Sequence, residues 1–252
     1  MSNNNYLYVD IETIPSQDPN IKESILSELS PPGNISKPET IAKWWREKGP
    51  TIVEEKLLAT ALDPTFGQVI CICWAFNDKP VGGLIRSLDE SEKDLLEAFY
   101  GVLEETDTDY LVFIGHNVLG FDLPFLWKRS IINSCRPSIA LPNRRGVDVY
   151  DTMTEWAGYN KFIKFDVLCH VLGLSGKEGM DGSMVWPAVQ EGEYGKILAY
   201  CKQDVEGVRQ IYRRMKFLDY VPEDPKDEMS MANEESKKLE ESHFFDPVMK
   251  EI

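Results

Sequence analysis

The sequence lacks any run of about 18 uncharged apolar residues, the length that a membrane-spanning helix needs. Its opening stretch, MSNNNYLYVDIE, has neither the basic start nor the apolar segment of a secretory signal peptide. From these two absences we expect a soluble intracellular protein that does not contact a membrane.

Cysteine and histidine are scarce and scattered. The five cysteines are odd in number and include no C-x-x-C pair, which argues against both a disulfide framework and a zinc ribbon. Cys71 and Cys73 alternate along a predicted strand, so we expect reduced core residues. The histidines at positions 116, 170 and 243 lie too far apart in sequence to predict a local metal site.

Positive charge is also in short supply, because 27 Lys and Arg residues face 42 Asp and Glu residues, a net charge of −15. Proteins that bind phosphate polymers normally present a basic surface. Residues 222–252 hold ten acidic and four basic residues, and we predict that this segment is a flexible tail. Some of the remaining excess belongs to carboxylates that bound cations would offset.

Apolar residues are plentiful, at 42% hydrophobic with 11% aromatic, and suit one α/β domain of roughly 200 residues with appendages. Tyr6 to Glu12 has the alternation of a strand, with Leu7, Val9 and Ile11 on one face. Residues 15–65 contain several prolines between helix-like pieces, which predicts a helical insertion after this strand.

Hydrophobic periodicity indicates four further strands and four helices after the insertion. The predicted strands are 68–76, 81–87, 109–115 and 147–151. The predicted helices are 89–105, a segment that begins near 121, 166–172 and 193–218, with a glycine-rich loop at 173–186.

Three patterns of polar residues follow one another along the chain. They are Asp10-Ile11-Glu12-Thr13 on the first strand, Asn117-x-x-x-Phe121-Asp122 after the fourth strand, and Tyr200-x-x-x-Asp204 in the last helix. The first and third patterns are common by chance, whereas the second is much rarer after a buried strand. The ordered combination is therefore the specific signal.

The patterns favour a site for hard metal ions. Asp10 and Glu12 share one face of a strand, and Tyr200 lies one helical turn before Asp204. If the last helix packs across the sheet, the carboxylates converge together with Asp122. Such oxygen ligands suit divalent cations, and a pair of cations assists phosphodiester cleavage. The tyrosine hydroxyl would orient the attacking water while a carboxylate accepts its proton.

The segments DIET, NVLGFD and YCKQD resemble the three exonuclease motifs of the DEDD superfamily, in its tyrosine-containing DEDDy branch of DnaQ-like enzymes. Over roughly residues 6–218 the chain most resembles the predicted 3′→5′ exonucleases related to the exonuclease domain of family-B DNA polymerases. The stretches GKEGMDGSMVW and KPETIAKW are similar as well. The resemblance implies an α/β, ribonuclease-H-like fold, with a mixed five-stranded sheet flanked by helices.

The resemblance also implies an activity and a role for each motif residue. The expected enzyme removes nucleoside 5′-monophosphates from the 3′ end of a single strand, DNA in preference to RNA, in repair or replication. The expected cofactors are two divalent cations, Mg²⁺ or Mn²⁺. Asp10 would bridge both cations, Glu12 and Asp204 would hold the catalytic one, and Asp122 would support the other through water. Tyr200 would be catalytic, and the predicted substrate contacts are Thr13, Asn117 and Phe121.

Other residues give weaker signals. Basic side chains that would either contact phosphates or remain solvated are Arg144, Arg145, Lys161, Lys164, Arg209, Arg213 and Arg214. Trp44, Trp45 and Phe66 would stack on bases or pack against the body, and we favour packing. Asp151 and Asp181 are predicted to lie outside the metal site.

Two alternative functions deserve comparison. DIET approximates the D-x-D-x-T motif of haloacid-dehalogenase-like phosphatases, but that class requires Asp in place of Glu12 and later residues that have no counterpart here. A non-catalytic ribonuclease-H-like binding module would not need four carboxylates together with Tyr200. Both alternatives are therefore less favoured than the exonuclease.

The predicted organisation is an exonuclease domain over 1–221, followed by the acidic tail at 222–252. The apolar end of the tail, HFFDPVM, is a candidate docking segment for a protein partner. We expect a cytoplasmic protein of bacterial or phage origin. The sequence leaves the oligomeric state and the role of the insertion open.

Overall fold

The computed structural model describes residues 5–105, 111–174 and 179–219, and a five-stranded mixed sheet lies at its centre. The order across the sheet is β3-β2-β1-β4-β5, with β1 antiparallel to β2 and parallel to β4. The strands are β1 (Asn5–Ile14), β2 (Gln68–Phe76), β3 (Gly82–Ile85), β4 (Leu111–Gly115) and β5 (Val149–Asp151). The predicted mixed five-stranded sheet is confirmed.

Helices cover both faces of the sheet. Leu7, Val9 and Ile11 of β1 face the core shared with α4 and α5, whereas Tyr8 and Ile14 face the core shared with α8 and α9. The strand-period alternation in the sequence thus separates two cores. The helices are α1 (Pro19–Glu28), α2 (Pro38–Glu47), α3 (Gly49–Ala59), α4 (Glu92–Glu104), α5 (Asp122–Ile132), α6 (Thr152–Ala157), α7 (Phe165–Val171), α8 (Val185–Gln190) and α9 (Tyr194–Met215).

The predicted insertion is confirmed as three helices between β1 and β2. Asp18 caps α1 by accepting a hydrogen bond from the Asn20 backbone N–H at 2.9 Å, and a proline lies in the first turn of each helix. Both α1 and α2, which are described in full, bury none of their residues. A turn of 3₁₀ helix, Thr60–Leu62, ends the insertion.

The favoured packing of Trp44 and Trp45 against the body needs correction. The two indole rings contact each other edge to face at 5.1 Å, and both are half-buried. Trp45 lines a groove of about 520 Å³ with residues of α1 and α3, so its neighbours there belong to the insertion. Phe66 is 40% exposed and does not join either core.

A buried ion pair fixes the position of α5. Arg129 Nη2 lies 2.6 Å from Glu92 Oε2, and both side chains are at most 7% exposed. Glu92 Oε1 also accepts a hydrogen bond from the Val69 backbone N–H at 2.7 Å. The pair therefore joins α4, α5 and β2, and losing one partner of such a pair typically costs about 3–5 kcal/mol.

Two short helices are absent from the sequence-based prediction. The helix α6 follows β5 directly, and α8 begins at Val185, inside the predicted glycine-rich loop 173–186. Each spans six residues, too few for a clear helical period. Within that loop, residues 175–178 lie outside the described part of the chain. Across the described ranges, no helix has the length and apolar character needed to span a bilayer.

By its internal contacts the chain divides into residues 1–212 and 213–252. The second unit is described only over 213–219, where Arg213 pairs with Asp219 at 2.6 Å. The predicted acidic tail at 222–252 lies outside the described residues. Its flexibility and its role in binding a partner stay predictions.

Candidate active site

Strand β1 presents two carboxylates on one face at the centre of the sheet. Asp10 is half-buried and Glu12 is 9% exposed. In the antiparallel register Asp10 pairs with Cys73, and Glu12 pairs with Cys71. A carboxylate oxygen of Asp10 and one of Glu12 lie within 4.8 Å of each other and of Cys201 Sγ. Strand alternation therefore produces the predicted pair.

The start of α5 places Asp122 against the same strand. Pairing between β1 and β4 ends at Tyr8, and further along β1 the Ile11 backbone N–H donates to Asp122 Oδ1 at 3.1 Å. Asp122 is 3% exposed. The pKa of Asp122 is raised to about 7, mainly by burial and in part by the charges of Asp151 and Asp204, while hydrogen bonds from the backbone N–H groups of Asp122 and Ile11 oppose the shift.

Helix α9 supplies the remaining two residues. Tyr200 and Asp204 are each 5% exposed, and the Tyr200 hydroxyl is hydrogen-bonded to the Asp204 carboxylate. Burial raises the pKa of Tyr200 above its usual range, and the charges of Asp204, Glu12 and Asp10 act in the same direction. The phenol therefore keeps its proton near neutral pH. The structure brings the four predicted carboxylates and the tyrosine together.

Asp151 positions the loop that leads into α5. Its Oδ1 accepts a hydrogen bond from the Asn117 backbone N–H at 3.0 Å, and its Oδ2 accepts one from Leu119 at 3.1 Å. The same carboxylate caps α6 through the N–H groups of Met153 and Thr154. Asp151 is 2% exposed, so it acts as a buried support for the site. An aspartate directly before a helix is the signal that indicates this capping role.

The loop between β4 and α5 is compact around Asn117. Asn117 has a φ of 63°, and a Cβ at position 120 would lie 2.3 Å from its Oδ1, so any side chain at position 120 would displace the Asn117 amide. The Phe121 ring packs on Phe125 at 5.3 Å and is half-buried. Asn117 and Phe121 thus belong to the turn that places Asp122 at the start of α5. Their contact with substrate stays a prediction.

Two grooves run along residues next to the carboxylates, and none of the four carboxylates lines either groove. Thr13 donates its hydroxyl hydrogen to the Ala61 carbonyl oxygen at 2.7 Å and lines a groove of about 590 Å³ between α3 and α8. A second groove, of about 490 Å³, runs between α8 and α9 and reaches Tyr200 and Gln203. Pro187 lines both grooves. Thr13 therefore has a structural hydrogen bond as well as its predicted place beside the substrate.

The candidate phosphate contacts differ in whether their side chains are already bound within the protein. Arg209 donates to the carbonyl oxygens of Asn77 at 3.2 Å and Lys79 at 2.7 Å, and it pairs with Glu206. The hypothesis of a phosphate contact at Arg209 is therefore wrong, because its guanidinium joins α9 to the turn after β2. Lys161 and Lys164 are exposed.

Sequence comparison supports the resemblance. Residues 141–243, less than half of the chain, match a family described as "Predicted 3′-5′ exonuclease related to the exonuclease domain of PolB". The matched range contains Tyr200 and Asp204, whereas the first two motifs precede it. No curated protein matches the chain in sequence.

Structural comparison agrees. The fold is similar to the family B DNA polymerase from the hyperthermophilic archaeon Pyrobaculum calidifontis, with a TM-score of 0.52 and 14% sequence identity. The likeness covers 84% of this chain, whereas the chain spans 24% of the polymerase. It confirms the predicted fold class, a ribonuclease-H-like mixed sheet flanked by helices.

Proposed function

We propose that the chain is a 3′→5′ exonuclease that releases nucleoside 5′-monophosphates from single-stranded nucleic acid, with DNA preferred to RNA. The observation that carries the proposal is the convergence of four carboxylates and one tyrosine from three separate elements, β1, α5 and α9. The family match at the third motif supports the same activity.

The donor set fits hard divalent cations such as Mg²⁺ or Mn²⁺, because carboxylate oxygens of Asp10 and Glu12 lie within 4.8 Å of each other, and Asp122 and Asp204 lie close enough for their charges to interact. Asp10 would be a ligand of both cations, Glu12 and Asp204 would hold the catalytic one, and Asp122 would support the other. Bound there, the cations would activate water and offset negative charge on the phosphodiester. The raised pKa of Asp122 reflects a buried charge that such cations would stabilise.

Tyr200 acts beside these ligands. Its protonated hydroxyl lies next to Asp204 at the end of the groove between α8 and α9. From there it orients the attacking water by a hydrogen bond, and a neighbouring carboxylate accepts the proton that the water loses.

Replacing Tyr200 by phenylalanine is expected to lower the rate of nucleotide release about 10²-fold, because one positioning hydrogen bond disappears while the carboxylates remain. Single-turnover kinetics would measure the rate, and Mn²⁺ titration would show unchanged metal affinity. Tyr194→Phe is the matched control: Tyr194 lies on the same helix, and its hydroxyl oxygen accepts a hydrogen bond from Leu88. Equal rates for Tyr200→Phe and wild type would remove Tyr200 from the mechanism.

The end of α6 and the loop after it, residues 156–164, offer a surface for the single strand. Tyr159 and Phe162 are 74% and 70% exposed, and the segment WAGYNKFIK contains two lysines and no acidic residue. His116 holds the loop through a contact of 2.9 Å between Nε2 and the Ile163 carbonyl oxygen. Because His116 precedes Asn117, the loop lies beside the second motif. Exposed rings stack on bases, and the lysines attract phosphates despite the acidic net charge.

Changing Tyr159 and Phe162 together to alanine is expected to raise the dissociation constant for single-stranded DNA about 30-fold or more, since each of the two base–aromatic stacks contributes about 1–3 kcal/mol. Fluorescence anisotropy with a labelled oligonucleotide and chelator would measure binding without cleavage. Trp127→Ala provides a control, because Trp127 is 52% exposed on α5. If the double variant binds as tightly as wild type and the Trp127→Ala control, the loop does not contact the strand.

The activity itself is tested with 5′-labelled and 3′-labelled single strands of DNA and RNA, incubated with Mg²⁺ or Mn²⁺. We expect a ladder from the 5′-labelled strand and early release of the 3′ label as a mononucleotide, faster for DNA. Release of inorganic phosphate without shortening would instead support the phosphatase. Binding without cleavage under any of these conditions would support the non-catalytic module.

A further inference from the structure

Three buried thiols meet beside the Asp10 and Glu12 carboxylates. Cys71 and Cys73 lie on β2 and Cys201 lies on α9; each is 0% exposed and carries a free thiol. The three sulfur atoms lie within 4.8 Å of one another, and the Sγ atoms of Cys71 and Cys73 are 3.8 Å apart. Cys201 Sγ is 3.5 Å from Asp10 Oδ2.

These distances match a thiolate site for a soft metal ion. In tetrahedral coordination with metal–sulfur bonds of about 2.3 Å and metal–oxygen bonds of about 2.0 Å, two sulfur ligands lie about 3.8 Å apart, and a sulfur and an oxygen about 3.5 Å apart. The Cys71–Cys73 and Cys201–Asp10 distances have these values. The three sulfur atoms therefore need only small shifts to surround an ion, and the Asp10 carboxylate, which lies close to Cys201 but not within 4.8 Å of all three sulfur atoms, moves toward them.

We propose that Cys71, Cys73 and Cys201 bind one soft divalent cation, Zn²⁺ or Cd²⁺, with Asp10 as the oxygen ligand. Soft cations prefer thiolates, whereas Mg²⁺ and Mn²⁺ prefer carboxylates. Binding moves the thiol protons to solvent as the sulfur atoms become thiolates. Asp10 is half-buried, so the ion reaches the thiols from the carboxylate side.

Asp10 belongs both to the proposed thiol site and to the proposed catalytic site, so an ion at the thiols affects cleavage. An ion held by the three thiols and Asp10 withdraws that carboxylate from the cations that support cleavage, so occupancy inhibits the enzyme. This consequence rests on the proposed nuclease function, whereas the binding of the soft cation does not.

The binding test is a titration of the full chain with Cd²⁺ in excess Mg²⁺, followed by the ultraviolet charge-transfer absorption of cadmium–thiolate bonds. We expect saturation at one ion per chain. Cys201→Ser, Cys71→Ala and Cys73→Ala should each weaken binding about 100-fold or more, the upper end of the loss seen even for residues that only support metal ligands. Cys135→Ala and Cys169→Ala are the matched controls, because both thiols are buried outside the cluster.

Melting curves in chelator identify any variant that fails to fold. The titration of wild type tests whether the thiol site exists even if every variant fails to fold. Absence of charge-transfer absorption in wild type overturns the site, as does full binding by a folded Cys201→Ser protein. In parallel, Cd²⁺ should inhibit wild-type cleavage at least tenfold more strongly than cleavage by Cys73→Ala. Cadmium absorption from a protein that never cleaves would refute the proposed function and leave the thiol site standing.

Discussion

Replacing Asp10 or Asp204 by alanine is expected to lower nucleotide release by at least about 10²–10³-fold, the usual scale for removing a group that stabilises the transition state. In the proposed site Asp10 would be shared by both cations and Asp204 would hold one of them, and the Asp204 carboxylate also contacts the Tyr200 hydroxyl. Either change therefore removes a cation ligand. Mononucleotide release from a 5′-labelled strand in Mn²⁺ would measure the loss.

Asp89→Ala is the control for these variants, because Asp89 is an exposed aspartate in the turn before α4. It should retain wild-type activity. Near-ultraviolet circular dichroism would show that Asp10→Ala and Asp204→Ala remain folded. More than about a tenth of wild-type activity in either folded variant would contradict the assignment of the site, given the expected loss.

Local sequence signals predicted the sheet and the long helices closely. The strand β2 occupies 68–76 as predicted, because QVICICWAF combines β-branched and aromatic residues in a buried run. The last helix was predicted at 193–218 and spans 194–215. The agreement is close because buried apolar residues recur with the helical period along most of its length. Short elements such as α6 and α8 escaped prediction because six residues do not establish a period.

In the candidate site, too, the sequence predicted one group of residues and missed another. Its four carboxylates and Tyr200 follow from three local patterns, each of which fixes side chains on one element. The support from Asp151 and the thiol cluster depend instead on tertiary contacts between residues far apart in sequence. Likewise, the sequence around Arg209 gives no sign that its guanidinium donates hydrogen bonds to the carbonyl oxygens of Asn77 and Lys79.

Asp122→Asn is expected to stabilise the metal-free protein at about pH 8 while weakening its response to metal. The folded pKa of Asp122 is about 7 against an ordinary value of 3.8, mainly because of burial. Between these values the folded chain holds a proton that the unfolded chain has lost, so the free energy of unfolding decreases as pH rises toward 7. At about 1.4 kcal/mol per pKa unit, the buried charge costs on the order of a few kcal/mol above pH 7.

The asparagine keeps an oxygen that accepts the hydrogen bond from Ile11 but carries no charge, so this pH dependence should disappear from the variant. Urea unfolding at several pH values, in chelator and in Mn²⁺, would measure the effect, with exposed Asp89→Asn as the control. Metal binds the folded form and stabilises wild type by mass action, and the variant should gain less because one ligand has lost its charge. A variant no more stable than wild type in chelator, with the full gain in Mn²⁺, would mean that Asp122 does not share a cation site with Asp10, Glu12 and Asp204.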